Sequence, residues 1–136
     1  MKNKEPILLI EDDRVDQMTV MRALKEISAT NDLVIANNGE EALDYLQNPE
    51  NEDPYIILLD INMPRMNGIE FLKIIKHDQR WKNIAVVVLT SSKADRDRIE
   101  TFDLGVAGYM VKPIDYKMFI NVVQAIHEYW KLSENA

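Results

Sequence analysis

The sequence predicts an α/β protein built on a doubly wound, five-stranded parallel sheet, a (βα)5 arrangement. Three observations carry this. Short apolar segments alternate, in strict turn and five times over, with segments whose apolar residues recur at helical spacing. The short segments are rich in β-branched residues and apolar at nearly every position, the pattern of strands covered on both faces. The chain has 136 residues, one domain's length, which can bury roughly 68% of its unfolded surface without staples. Strict alternation of the two element types implies parallel strands with helices on both sides.

The first strand spans Ile7–Ile10, and Val15, Met18, Met21, Leu24 and Ile27 mark the first helix. The second strand is Leu33–Ala36; a turn at Asn38-Gly39 leads to a helix carrying Ala42, Leu43 and Leu46. Residues 48–54 are polar with two prolines and read as a surface loop before the third strand, 55–59. An Asn67-Gly68 turn opens the third helix, marked by Ile69, Leu72 and Ile75. The fourth strand, 84–89, precedes a helix with Ile99, Phe102 and Leu104 that Gly105 ends. The fifth strand is 107–111, and Asp115 caps a long last helix reaching about Leu132. That helix carries two adjacent stripes, Phe119-Val122-Ile126-Tyr129 and Tyr116-Ile120-Val123-Trp130 with His127 among them. Together they are wider than the ~100° a sheet-packing helix usually shows, so part of this surface is expected to meet a partner.

Composition excludes several classes. There are no cysteines, hence no disulfide framework and no thiolate metal site. The longest apolar run has six residues, against the ~20 needed to cross a bilayer, and the N-terminus is not a signal peptide. A cytoplasmic location without membrane association is expected. With 16 basic and 23 acidic residues the net charge is −7, which disfavours direct nucleic-acid binding. Neither a GxxxxGK[ST] nor a GxSxG motif occurs. His77 and His127 stand alone and read as surface or helix-packing residues.

In an open parallel sheet, ligands bind at the carboxyl ends of the strands. Strand one ends in Glu11-Asp12-Asp13, strand three in Asp60, strand four in Thr90-Ser91-Ser92 and strand five in Lys112-Pro113. Strand two ends blandly in Asn37-Asn38-Gly39, which suits a strand at the margin. Glu11, Asp12 and Asp60 are expected within a few ångströms of one another. Like charges that close raise each other's pKa or require a cation, and an all-oxygen set with room for water suits Mg²⁺. An ammonium fixed at Lys112 beside that ion makes a receptor for a phosphoryl group, and Thr90 adds a hydroxyl donor. Asp60, alone at the end of a central strand, is the candidate nucleophile for an aspartyl phosphate.

The acidic pair, Asp60 in "LLDINMPRMNG", Thr90-Ser91 after "AVVVLT" and "GYMVKP" resemble the receiver domain of two-component response regulators, over nearly the whole chain from about Ile7 to Trp130. Glu11 in place of the commoner aspartate, the long loop before strand three, "VVVLTSS" and the aromatic "IHEYW" resemble the single-domain regulators that partner phytochrome-type histidine kinases. The resemblance implies a flavodoxin-like sheet of order 2-1-3-4-5 and a single receiver domain over 1–136 without an output domain. It implies that Asp60 accepts a phosphoryl group from a kinase phosphohistidine. Glu11, Asp12, Asp60 and the backbone carbonyl of Asn62 would hold Mg²⁺. Thr90 would bond the phosphoryl oxygen, Lys112 would pair with its charge, and Tyr109 would be the switch aromatic. The Lys112–Pro113 bond would be cis. Asn62 and Ser92 would flank the hydrolytic water, with an intermediate-to-long phosphoryl lifetime expected. Ala85, where relatives often carry proline, is a departure without expected consequence.

These features imply a phosphorylation-controlled switch, not an enzyme beyond its own phosphorylation and slow autodephosphorylation. Output would pass to a downstream protein or to a homodimer formed through helix four, strand five and helix five, with Tyr109, Val122 and Tyr129 at the surface. Two other readings compete. A small aspartyl-phosphate phosphohydrolase needs a general acid two residues past the nucleophile, where this chain has Asn62. A receiver-like binding module without phosphotransfer would not need Asp60, Thr90, Lys112 and the acidic pair together.

Overall fold

Strands that are apolar along their whole length need cover on both faces, and the fold supplies it. The computed structural model describes residues 5–26, 32–63, 66–91, 94–112 and 115–134. Ten elements alternate: β1 (Ile7–Ile10), α1 (Arg14–Glu26), β2 (Leu33–Ala36), α2 (Gly39–Gln47), β3 (Ile56–Leu59), α3 (Gly68–Lys76), β4 (Ala85–Thr90), α4 (Asp95–Asp103), β5 (Gly108–Val111) and α5 (Tyr116–Glu134). The strands are all parallel, in the order β2-β1-β3-β4-β5. The expected strand segments agree to within a residue.

Alternation along each strand divides the core in two. Leu8, Ile10, Ile57, Leu59, Val86 and Val88 pack with Ala42 and Leu46 of α2 and Phe71, Leu72 and Ile75 of α3. Ile7, Leu9, Ile56, Leu58, Val87 and Leu89 pack with Val20, Ala23 and Leu24 of α1 and Phe119 and Val123 of α5. Tyr116 donates its hydroxyl to Glu26 at 2.8 Å, tying α5 to α1.

The helix starts follow local polar chemistry. Asn38-Gly39 is a helix start rather than a free turn: the Asn38 side chain accepts from the Glu41 N–H, and Gly39 is already helical. Asn67 and Glu70 form a reciprocal capping box at α3. Asp115 caps α5 by accepting from the Met118 N–H. Gly105, at φ 89°, takes the left-handed conformation that stops the chain after α4.

Three helix faces differ from the apolar spacing. In α1, Val15, Met18 and Met21 are 71%, 55% and 48% exposed, while Gln17, Val20, Ala23 and Leu24 face inward; Ile27 lies outside the described residues. Gln17 is on the inward face, where its Nε2 donates to the Glu11 carbonyl at 2.7 Å. In α4, Ile99 and Phe102 are 60% and 49% exposed, and Thr101 is the buried position. In α5 the two stripes do not part into an inner and an outer one. Phe119 of one and Val123 of the other are buried, and Tyr116, Ile120, Val122 and Ile126 are half-buried against the same cluster.

Gly68 is where α3 meets the strand that ends at Asp60. A Cβ there would lie 2.5 Å from the Ile61 Cα and 2.6 Å from the Asp60 carbonyl oxygen, both backbone atoms that cannot yield cheaply. Gly68→Ala is therefore expected to lose about 1–3 kcal/mol of stability in urea unfolding; an unchanged midpoint would contradict the tight junction.

Candidate functional site

The strand registers bring four chain ends to one edge. Ile10 pairs with Leu59, Leu59 with Val88 and Thr90 with Val111, so Glu11, Asp60, Thr90 and Lys112 emerge side by side. Continued alternation turns Glu11, Asp60 and Lys112 toward the α1 side of the sheet. β2, which ends in Asn37, lies at the margin as expected.

Carboxylate oxygens of Glu11, Asp12 and Asp60 lie within 4.8 Å of one another. Glu11 and Asp60 are buried and Asp12 is exposed. The two buried carboxylates are each held by a backbone N–H nearby. Glu11 Oε2 accepts from the Asp13 N–H at 3.0 Å, and Asp60 Oδ1 from the Asn62 N–H at 3.0 Å. The Lys112 ammonium is 2.8 Å from Glu11 Oε1, 2.7 Å from Asp16 Oδ2 and 3.5 Å from Asp60 Oδ2. Oxygen-only donors, with one exposed member open to water, fit a hard divalent cation.

Burial, opposed by the Lys112 hydrogen bond, pushes the Glu11 carboxyl up to about 7. The charge of Asp60 adds to the rise but is not its main cause, so desolvation rather than mutual repulsion dominates. Burial pulls Lys112 down, yet its hydrogen bonds to Asp16 and Glu11 and the charge of Asp60 carry it above the ordinary lysine value.

Thr90 is fully buried, and its Oγ1 accepts from Asn62 Nδ2 at 3.1 Å. Tyr109 pairs in register with Val88 and is half-buried against the α2–α3 core. Its ring centre lies 6.4 Å from that of Phe102, with the Arg98 guanidinium 5.7 Å away. Pro113 and Ser92 lie outside the described residues, as do the side chains of His127, Tyr129 and Trp130, so the cis bond, one flank of the water path and one partner-surface residue are not described.

Asp16 and Gln17 were not among the expected site residues. Asp16 reaches Lys112 from the first turn of α1, and Gln17 binds the Glu11 carbonyl and Asn37 Oδ1. The available signal was strand parity: Glu11 follows an apolar strand one step out of phase with Ile10, which turns it toward the helix that comes next.

A doubly wound sheet with clustered carboxylates facing one lysine at its carboxyl edge defines a phosphoryl-handling α/β class. Within it, residues 7–124 match the response regulator receiver domain. The chain is 38% identical over 128 residues to response regulator Rcp1 of a Synechocystis strain, covering 91% of this chain and 87% of Rcp1. It is 36% identical over 127 residues to the probable methanogenesis regulatory protein FilR2 of Methanothrix harundinacea, covering 91% and 82%. Among solved structures, the Mn²⁺-bound form of Rcp1 superposes with a TM-score of 0.80 at 35% identity, covering 93% of this chain and 94% of that one. The phosphorylated cyanobacterial phytochrome response regulator RcpA also gives 0.80, at 33% identity and 93% of each chain. The chain belongs to the receiver domain family of two-component response regulators, phosphorylation-controlled signalling switches rather than enzymes of metabolism. No described helix is long and apolar enough to cross a membrane.

The raised Glu11 value carries a pH dependence. Between about 4.5 and 7 the folded state holds a proton on Glu11 that the unfolded chain has lost, so stability falls as pH rises through that window. In metal-free buffer, Glu11→Gln should remove a decline of about 3 kcal/mol. Urea midpoints from pH 5 to 8 check this; parallel profiles for the two proteins would contradict it.

Proposed function

We propose that Asp60 is the phosphoacceptor of this receiver domain, with Mg²⁺ as its ion. Its carboxylate attacks the phosphorus of a kinase phosphohistidine; the P–N bond breaks as the P–O bond forms. The observation that carries this is the cluster of Glu11, Asp12 and Asp60 oxygens within 4.8 Å, faced by the Lys112 ammonium. Glu11, Asp12, Asp60 and the Asn62 carbonyl would hold the ion, whose charge would screen that of the incoming group. Lys112 balances the added charge. Thr90 donates to a phosphoryl oxygen and Tyr109 responds to its movement. The likeness to RcpA, a cyanobacterial phytochrome response regulator, supports a phytochrome-type histidine kinase as donor. Val15, Met18 and Met21 are exposed on α1, the helix whose Asp16 reaches Lys112, and offer that donor an apolar surface. A cytoplasmic location and a single receiver unit over residues 1–136 complete the reading. Incubation with acetyl phosphate and Mg²⁺ should add one phosphate by intact-mass spectrometry, and Asp60→Asn should abolish it. Labelling of that variant at the wild-type rate would overturn the assignment.

Output through a homodimer is the second part of the proposal. Ile99 and Phe102 expose apolar surface on α4 next to Tyr109, and a downstream protein would use the same face. Val122 is a poor probe because it is half-buried against the core. In sedimentation velocity with beryllofluoride and Mg²⁺, the wild type should shift toward dimer, and Ile99→Glu should stay monomeric. A wild type that stays monomeric at high micromolar concentration would sink the dimer.

A further inference from the structure

The Lys112 ammonium has three N–H donors, and three carboxylates compete for them. The two short contacts go to Glu11 at 2.8 Å and Asp16 at 2.7 Å, and the longest, 3.5 Å, goes to Asp60. We propose that Asp16 is a positioning residue that draws Lys112 away from Asp60 and so sets how readily the pocket accepts a phosphoryl group. This rests on the reading of Asp60 as the phosphoacceptor and extends it to a residue on α1.

The direction follows from where each partner can go. A tetrahedral anion on Asp60 brings new acceptor oxygens and more negative charge, which Lys112 must approach to serve. Moving toward Asp60 lengthens one of its short contacts. The Glu11 side chain is 2% exposed and has no water to replace the ammonium, whereas that of Asp16 is 30% exposed. Giving up a half-solvated carboxylate costs far less than stranding a buried one. Asp16 also sits in the first turn of α1, where the helix N-terminus favours a carboxylate even without the lysine. Asp16 is therefore the partner that yields, and its pull on Lys112 opposes anion capture in the resting protein. Its charge opposes it too, so contact and field act with the same sign and need separating.

Asp13 supplies the separation. It is a neighbouring exposed acid that makes no contact with Lys112 but caps α1 through the Val15 and Asp16 N–H groups. Asp13→Asn removes the same charge and keeps a capping side chain. The experiment is a titration of the full chain with beryllofluoride in Mg²⁺, read by ¹⁹F NMR. Asp16→Asn should tighten binding by roughly three- to tenfold. Asp16→Ala should act in the same direction. Asp16→Glu, which keeps a carboxylate within reach of Lys112, should restore wild-type affinity, a rescue that a merely structural role would not give. Asp13→Asn should change affinity less than about twofold. An unchanged or weaker affinity in Asp16→Asn, or an equal gain in Asp13→Asn, would overturn the inference. A wild type that binds no beryllofluoride would instead remove the phosphoacceptor reading, and this inference with it.

Discussion

Two carboxylates with almost no solvent, Glu11 and Asp60, sit side by side at the carboxyl edge of the sheet. That arrangement is tolerable because one ammonium reaches both. Lys112 comes from the end of β5 and Glu11 from the end of β1, with β3 and β4 between them in the sheet and a separation of 101 positions in sequence. Removing the cation would strand buried charge at a cost of about 3–5 kcal/mol. The five-stranded order is thus tied across its edge by the same contact that organises the pocket. β5 has to lie beside β4, and β4 beside β3, for the lysine to arrive.

The helices divide their work around that edge. α2 and α3 bury their faces against one side, α1 and α5 against the other. α4 differs, since it buries Thr101 while Ile99 and Phe102 stand in solvent. Its described contacts with the body include the half-buried Leu104, the Lys73–Glu100 ion pair and the ring of Tyr109. That ion pair is exposed on both sides and worth at most about 1 kcal/mol. A helix with so little buried apolar surface shifts at lower cost than its neighbours.

The strands, their parallel order and the residues at their ends were legible because a doubly covered strand leaves a continuous apolar run, and the next polar residue is its end. Glu11, Asp60, Thr90 and Lys112 were found that way. Helix rotation was less legible. α1 offers two stripes of similar apolar character, and the one that packs inward through Val20, Ala23 and Leu24 also carries Gln17, a polar residue that binds the Glu11 carbonyl. Hydrophobic spacing does not encode a polar anchor, so Val15, Met18 and Met21 mark a helix without marking its buried face, and the spacing gives no sign of Asp16. The expectation of a raised carboxyl was sound for Glu11, but its main cause, burial, depends on how deeply the strand end sits, which spacing alone does not give.

Strand parity also relates the end of β4 to the ring that faces α4. Residues paired in a parallel ladder point to the same face, so Thr90, paired with Val111, shares a face with Tyr109, two residues earlier on β5. Thr90 is fully buried and bonded to the Asn62 side chain, and Asn62 donates its own N–H to Asp60. An added group on Asp60 competes for that N–H and for the Thr90 hydroxyl together. In a close-packed interior the hydroxyl cannot move without changing the space open to its neighbours. On the same face of the next strand stands the ring of Tyr109, beside Phe102 and Arg98 of α4. On the proposed reading of Asp60, this set of residues from Asn62 and Thr90 to the ring of Tyr109 is where a phosphoryl group would act on the α4 surface.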